Sequence, residues 1–234
     1  RQMHVTAVTG TNGKTSTTWW LAQAWAHLPD LWRRRAGVVG TLGAGVMQVD
    51  GSGGVRLDAM RETGLTTPDA IALQECLHAL HQGGAGACAM EASSIGLAEW
   101  RLEGVHIDTA VLTNFTQDHL DYHGDMDRYW QAKRRLFDWP GLRVAVVHID
   151  DARGSELAQA LGARADLDVW TTSCAGPARL RARELRHTAA GLAFTAQEGA
   201  QALAVQTQVI GEHNVANLLG VVAVLRAQGV PLGD

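Results

Sequence analysis

VTAVTGTNGKTSTTWW, residues 5–20, sets an apolar run against a turn of glycines, hydroxyls and one lysine that leads straight into a helical pattern. Successive backbone N–H groups in a glycine-rich turn, backed by the positive end of a helix, form a site for an anion. Lys14 can reach terminal phosphates from there, and the Thr15 hydroxyl can ligate Mg²⁺. Residues 9–15, TGTNGKT, therefore read as a nucleoside triphosphate loop, with Gly10, Thr11, Asn12, Gly13, Lys14, Thr15 and Ser16 as its contacts. The longer pattern G-x-x-x-x-G-K-[ST] is incomplete, since Val8 stands where its first glycine belongs. A plain strand-to-helix turn with a snorkelling lysine is the competing reading. The strand before, the helix after and the trailing hydroxyls of Ser16, Thr17 and Thr18 favour the nucleotide.

Outward from this loop, apolar runs predict strands at residues 3–8, 37–41, 87–90, 107–112, 144–149 and 167–170. Helical patterns lie at 14–28, 68–81, 125–137, 154–161 and 214–227. Strands that alternate with helices predict an α/β fold of P-loop type, a mainly parallel sheet flanked by helices. Residues 45–58 read as a hairpin around a Gly/Ser turn. Residues 179–209, with alternating residues and glycine breaks, predict a small antiparallel sheet appended to the larger one and packed on it.

Composition narrows the function classes. The 234 residues are 46% hydrophobic and 19% charged, as in an ordinary globular protein, and the net charge of −4 is spread without blocks. No electrostatic footprint for nucleic acid or an anionic membrane is present. The basic run WRRR, residues 32–35, reads as a solvated turn. Three widely spaced cysteines, none in a C-x-x-C, fit a reducing compartment, and no apolar run is long enough to span a bilayer, so a cytoplasmic protein is expected. The chain opens on Arg1 directly before a strand, as a piece of a longer protein would.

Two further strand ends carry polar residues that a core would not choose. Glu91 follows an apolar strand and precedes Ser93 and Ser94, and the stretch TNFTQDHLDYHGD brings Asn114, Asp118, His119, Asp121 and His123. Ligands of open parallel sheets bind at the carboxyl ends of strands, so these residues should converge on the phosphate loop. Glu91 and His119 become candidate Mg²⁺ ligands, the carboxylate by hard oxygen chemistry and the imidazole less usually. A helix-capping role for Glu91 and a satisfied loop histidine at 119 stay open, and Asp118 and Asp121 could serve only to shape the loop. Residue type alone gives Lys133 no role beyond that of a solvated helix lysine.

Taken together, TGTNGKTSTT, TTPDA, MEASSIGLAEWRL, TNFTQDHLDYHGDMDRYWQAKRRLF and GEHNVANLLGVVAVL resemble, in order and spacing, the Mur ligases, ATP-dependent enzymes that build the peptidoglycan stem peptide. The likeness is closest to the branch that adds the third amino acid, and it covers the family's central ATP-binding domain, here residues 1–234. It implies flanking domains outside this chain, one gripping the uridine diphosphate and one choosing the amino acid, meso-diaminopimelate or lysine. It implies that Gly13, Lys14 and Thr15 hold the phosphates and Mg²⁺, and that Glu91 and His119 hold magnesium. Lys133 would be carbamylated to a carboxylate-like ligand, which reverses the reading from residue type. His213, Asn214 and Asn217 would contact adenine, and Thr66, Thr67, Ser93, Glu99 and Arg101 the UDP-MurNAc-dipeptide. The sequence departs from many relatives at Ile95 for histidine, Glu99 for glutamine and His148 for asparagine.

The chemistry so implied is activation of a carboxylate by the γ-phosphate of ATP and attack of an amine on the acyl phosphate, with Lys14, Lys133 and magnesium as the machinery. A folylpolyglutamate synthetase-like ligase shares the loop and this logic, but TTPD and ASSIGLAEWRL speak against it. A nucleotide-dependent switch or binding module would not need so many polar strand ends.

Overall fold

The computed structural model describes residues 3–28, 35–50 and 52–233. Residues 32–34 of the basic run, and Arg1, lie outside them. Around the phosphate loop the chain forms β1 (His4–Thr9) and α1 (Lys14–His27), then β2 (Arg35–Gly40), β3 (Gly43–Val49) and β4 (Val55–Arg61). After α2 (Ala70–Gln82), β5 (Ala85–Glu91), α3 (Ser94–Ala98) and β6 (Thr109–Leu112) come α4 (Leu120–His123) and α5 (Met126–Arg134). The chain ends with β7 (Val144–His148), α6 (Ala152–Gly162), β8 (Asp168–Ser173), β9 (Leu180–Thr188), β10 (Gly191–Glu198), β11 (Gln201–Thr207) and α7 (His213–Ala227).

The described strands form one sheet in the order β11-β10-β9-β8-β7-β6-β1-β5-β2-β3-β4. Its middle is parallel, and both ends turn antiparallel. The α/β expectation holds, with one correction: residues 179–209 do not pack on the main sheet but extend it. β9 pairs with β8 in parallel only at Thr172↔Leu180 and Ser173↔Arg181. Because β9 begins where β8 ends, the short connection 174–179 suffices and no crossover helix is needed.

The sheet is covered on both faces, as a parallel sheet requires. Val5, Ala7, Ala110 and Leu112 face a core with Leu73, Leu77 and Leu80 of α2, Tyr129 of α5 and Leu157 of α6. Val8 and Val111, one residue out of step, face Leu21 and Trp25 of α1 and Leu219 and Val224 of α7. Period-two alternation along each strand feeds the two layers.

Helix starts are set by acidic or hydroxyl caps: Asp69 for α2, Ser93 for α3, Asp125 for α5 and Asp151 for α6 each accept a first-turn N–H. α1, like α4 and α7, has no side-chain cap, and Gly13 precedes it at φ 84°. Its first N–H groups are thereby left for something else. The expected helix 125–137 gives way after Arg134 to a 3₁₀ turn, Arg135–Asp138. Two short helices the sequence reading did not anticipate, α3 and α4, carry or adjoin candidate site residues.

Candidate functional site

The carboxyl ends of β1, β5, β6 and β7 meet at the phosphate loop, the position expected for a ligand of a parallel sheet. Two glycines permit the loop. Gly10 has φ 145° and a Cβ there would lie 1.9 Å from Thr113 Oγ1; at Gly13 a Cβ would lie 2.1 Å from Asn217 Oδ1. The loop thus runs wedged between the end of β6 and the start of α7.

Its shape is held from β6. Asn114 accepts from the Asn12 N–H at 2.9 Å and donates to the Asn12 carbonyl at 3.0 Å, while Thr113 Oγ1 donates to that carbonyl at 2.6 Å. Thr11 Oγ1 donates to the Thr116 carbonyl and accepts from the Tyr129 hydroxyl at 3.1 Å. Sequence reasoning gave Asn114 no role beyond a polar strand end and overlooked Thr113 and Tyr129. Their only signal was polarity where strand and helix run into the loop.

Lys14 Nζ folds back on its own loop, donating to the carbonyls of Gly10 at 3.0 Å and Thr11 at 2.9 Å. Burial holds it below the ordinary lysine range, against the attraction of Glu91 and Asp118. Lys133, reached from α5, is 1% exposed, and its Nζ donates to the Gly10 carbonyl at 2.7 Å and sits 4.5 Å from the centre of the Tyr129 ring. Burial, then the charge of Lys14, bring it down to about 6, with Asp118 opposing. A buried amine beside the loop is not the solvated lysine that residue type alone predicts.

Glu91, 1% exposed, ends β5 under the start of α1. Thr15 Oγ1 donates to its Oε2 at 3.0 Å, and the Thr41 N–H donates to its Oε1 at 2.8 Å. Gly40 makes the approach possible, since a Cβ there would lie 2.2 Å from Oε1. Burial pushes the carboxyl up, while the Thr41 and Thr15 hydrogen bonds and Lys14 pull it down. Glu91 caps no helix; Ser93 does that for α3.

Thr15 and Glu91 set two hard oxygen donors side by side, a donor set that fits Mg²⁺. Among the described residues no three His, Cys, Asp or Glu side chains form a metal cage. A magnesium ion here would complete its shell with phosphate oxygens and water, as it commonly does at nucleotide sites. His119 is less closely joined to this pair. It takes the left-handed φ of 51°, lies 3.6 Å from Asp118 Oδ2 and packs its ring edge-on to Tyr129, with no hydrogen bond among the described residues to Glu91 or Thr15.

On the other side of Glu91 lie the expected substrate residues. Thr67 Oγ1 donates to the Glu91 carbonyl at 2.8 Å and accepts from the Ser93 N–H, and Thr66 Oγ1 accepts from Thr41 at 3.1 Å. Arg101 donates to the Thr67 carbonyl and to Glu99 Oε2, each at 2.8 Å, and Tyr122 donates to Glu99 Oε1. Toward α7, a cavity of about 610 Å³ is lined by Asn12, Gly13, Ser16, His148, His213, Asn214 and Asn217 among others. The phosphate loop thus lies between Glu91, joined to Thr67 and Ser93, on one side and the cavity toward α7 on the other.

Residues 8–225 match the family described as the Mur ligase middle domain. The chain belongs to the Mur ligase family. A UDP-N-acetylmuramoyl-L-alanyl-D-glutamate–2,6-diaminopimelate ligase of Acidovorax sp. (strain JS42) is 54% identical over 100% of this chain and 45% of its own length. The enzyme of the same name from Pseudomonas aeruginosa is 42% identical, again over 100% of the chain and 45% of the relative. The chain therefore spans less than half the length of these Mur ligases. A solved 2,6-diaminopimelate ligase superposes with a TM-score of 0.84 at 33% identity, covering 99% of this chain and 45% of that one. A Mur ligase of Thermotoga maritima solved with ADP shares the fold at 16% identity, with a TM-score of 0.70 over 98% of this chain and 46% of that one. No described helix of this Mur ligase domain is long and apolar enough to cross a membrane.

Proposed function

We propose that this chain is the central ATP-binding domain of a ligase that joins an amino acid, 2,6-diaminopimelate, to the D-glutamyl carboxylate of UDP-MurNAc-L-Ala-D-Glu. The observation that carries the reading is the anion-ready loop between Glu91 on one side and Lys133 on the other, in a chain whose relatives are named for that reaction. The enzyme would be cytoplasmic, with the residues before and after this domain supplying the rest of the UDP-sugar and amino-acid sites.

The loop N–H groups and the uncapped start of α1 bind the phosphates of ATP. Lys14 leaves its two loop carbonyls for the β/γ-phosphates and neutralises charge as the substrate carboxylate oxygen attacks the γ-phosphorus and ADP departs. The amine then displaces phosphate from the acyl phosphate and the amide forms. Thr15 and Glu91 would hold magnesium, which when bound offsets phosphate charge, with Lys133 as its carbamate and His119 as further ligands. Thr66, Thr67, Ser93 and the Glu99-bound Arg101 orient the acceptor, and His213, Asn214 and Asn217 border the nucleoside. No side-chain nucleophile is required.

Acceptor-dependent phosphate release by the intact enzyme tests the reading. Lys14→Ala should abolish turnover; a variant retaining a tenth of the rate would sink the assignment. Stimulation by a folate and glutamate, rather than by the UDP-sugar dipeptide, would move the protein to the folylpolyglutamate synthetases.

A further inference from the structure

The two outermost strands of the sheet differ in how they meet solvent. β4 reads VRLDAMR and carries Arg56, Asp58 and Arg61. Charges on an outer strand keep other strands from pairing with it. β11, at the opposite end, reads QALAVQT, with no charge, no proline and no bulge in its register with β10. The uncharged run reaches from Gly199 to Gly211.

Gly199 and Ala200 join β10 to β11 in a two-residue turn, so Glu198 and Gln201 close the ladder as a hydrogen-bonded pair. Alternation along the ladder then directs the N–H and C=O groups of Ala202, Ala204 and Gln206 outward, away from β10. All three residues are exposed, and no described strand pairs with this edge. Leu203 and Val205 stand opposite Ala196 and Phe194, on the face of the sheet covered by α1 and α7. Leu203 remains 37% exposed there, so the core runs out to the edge and stops with an aliphatic side chain uncovered.

We propose that a second copy of this chain pairs with β11, antiparallel across a twofold axis at Ala204, and joins the two sheets into one. The strand is complementary to itself in this register. With Ala204 opposite its own copy, Ala202 of one copy meets Gln206 of the other, so the outward-pointing groups of all three residues find partners. Leu203 of one copy meets Val205 of the other on the core face, which covers the side chain that each edge leaves open. No charge is brought opposite a charge along residues 201–207. The inference stands apart from the ligase reading and uses none of the nucleotide site.

Sedimentation velocity of the intact protein between about 1 and 200 µM tests it. A seven-residue strand pair makes a small interface, so a weak dimer is expected, populated in the upper part of this range. Ala204→Lys sets two ammonium groups face to face and should weaken the dimer by about tenfold or more; Ala204→Glu should do the same, and an equimolar mixture of the two should associate again. Hydrogen exchange of a peptide spanning residues 201–207 should slow with concentration in the parent and not in either variant alone. A parent that stays monomeric at the highest concentration overturns the proposal, whether the strand exchanges freely or is protected throughout by another part of the same polypeptide. So does a dimer that neither charge weakens, or a mixture that fails to regain it, in variants whose circular dichroism matches that of the parent.

Discussion

Lys14 and Lys133 share one acceptor: the Gly10 carbonyl takes a hydrogen bond from Lys14 Nζ at 3.0 Å and from Lys133 Nζ at 2.7 Å. Two ammonium groups on one buried oxygen repel, and the burial of Lys133 decides which gives up its charge. Brought down to about 6, Lys133 is a neutral amine at neutral pH. A neutral amine is the form that adds to CO₂. Protein equilibrated with ¹³C-bicarbonate should show a carbamate carbon signal at pH 7.5 that fades as pH falls below about 6 and is absent in Lys133→Arg. An ordinary lysine would need pH near 10 for the same neutral fraction. No signal at pH 7.5 would remove Lys133 from the proposed metal site.

Gly13→Ala should cost nucleotide affinity by more than about tenfold, since the left-handed backbone alone costs about 1–2 kcal/mol in a residue with a Cβ. The added carbon also meets Asn217 Oδ1. Gly13→Ala combined with Asn217→Ala relieves the contact but not the backbone, so calorimetry should find affinity only partly regained.

Glu91→Gln keeps the volume and removes a buried charge. Because burial raises this carboxyl, the variant should be at least as stable as the parent in a denaturant titration. Its gain in ADP affinity on adding Mg²⁺ should shrink by about 10–100-fold. An undiminished magnesium effect would show that the ion sits elsewhere.

His4 lies at the opposite end of the sheet, 3.5 Å from buried Asp108, and burial brings it down to about 4. The unfolded chain takes up its proton near 6.5, so between pH 6.5 and 4 the unfolded state binds more protons and stability falls as pH falls. That loss should approach about 3 kcal/mol at the lower limit. His4→Gln removes the titration, and the gap between the two denaturation midpoints should change across this window and be flat above it.

Legibility of the site followed the range of the interactions. Gly10 to Ser16 announce themselves because a loop that binds phosphate with its own backbone must write its needs into consecutive residues. Glu91 stood out as a carboxylate ending an apolar strand, but its grip by Thr41 depends on β2 pairing with β5 and on the bare Cα of Gly40. Lys133 is the sharpest case. A lysine in WQAKRRLF looks solvated by type, and only the turn of α5 toward the loop buries it; the family resemblance, not its own neighbours, flagged it.

The sequence by itself determined the alternation of strands and helices, the phosphate loop and the polar strand ends, because periodicity and turn chemistry are local. The tertiary structure decided that the antiparallel strands extend the sheet, because two pairs between β8 and β9 are contacts no local pattern encodes. It also decided the state of the charges. Burial and Lys14 draw Lys133 down to about 6, Glu91 is caught between burial and its hydrogen bonds, and His148 Nδ1 meets Thr172, each because of neighbours distant in the chain. Desolvation and hydrogen-bond saturation are properties of an enclosure, and an enclosure exists only once the chain has closed around it.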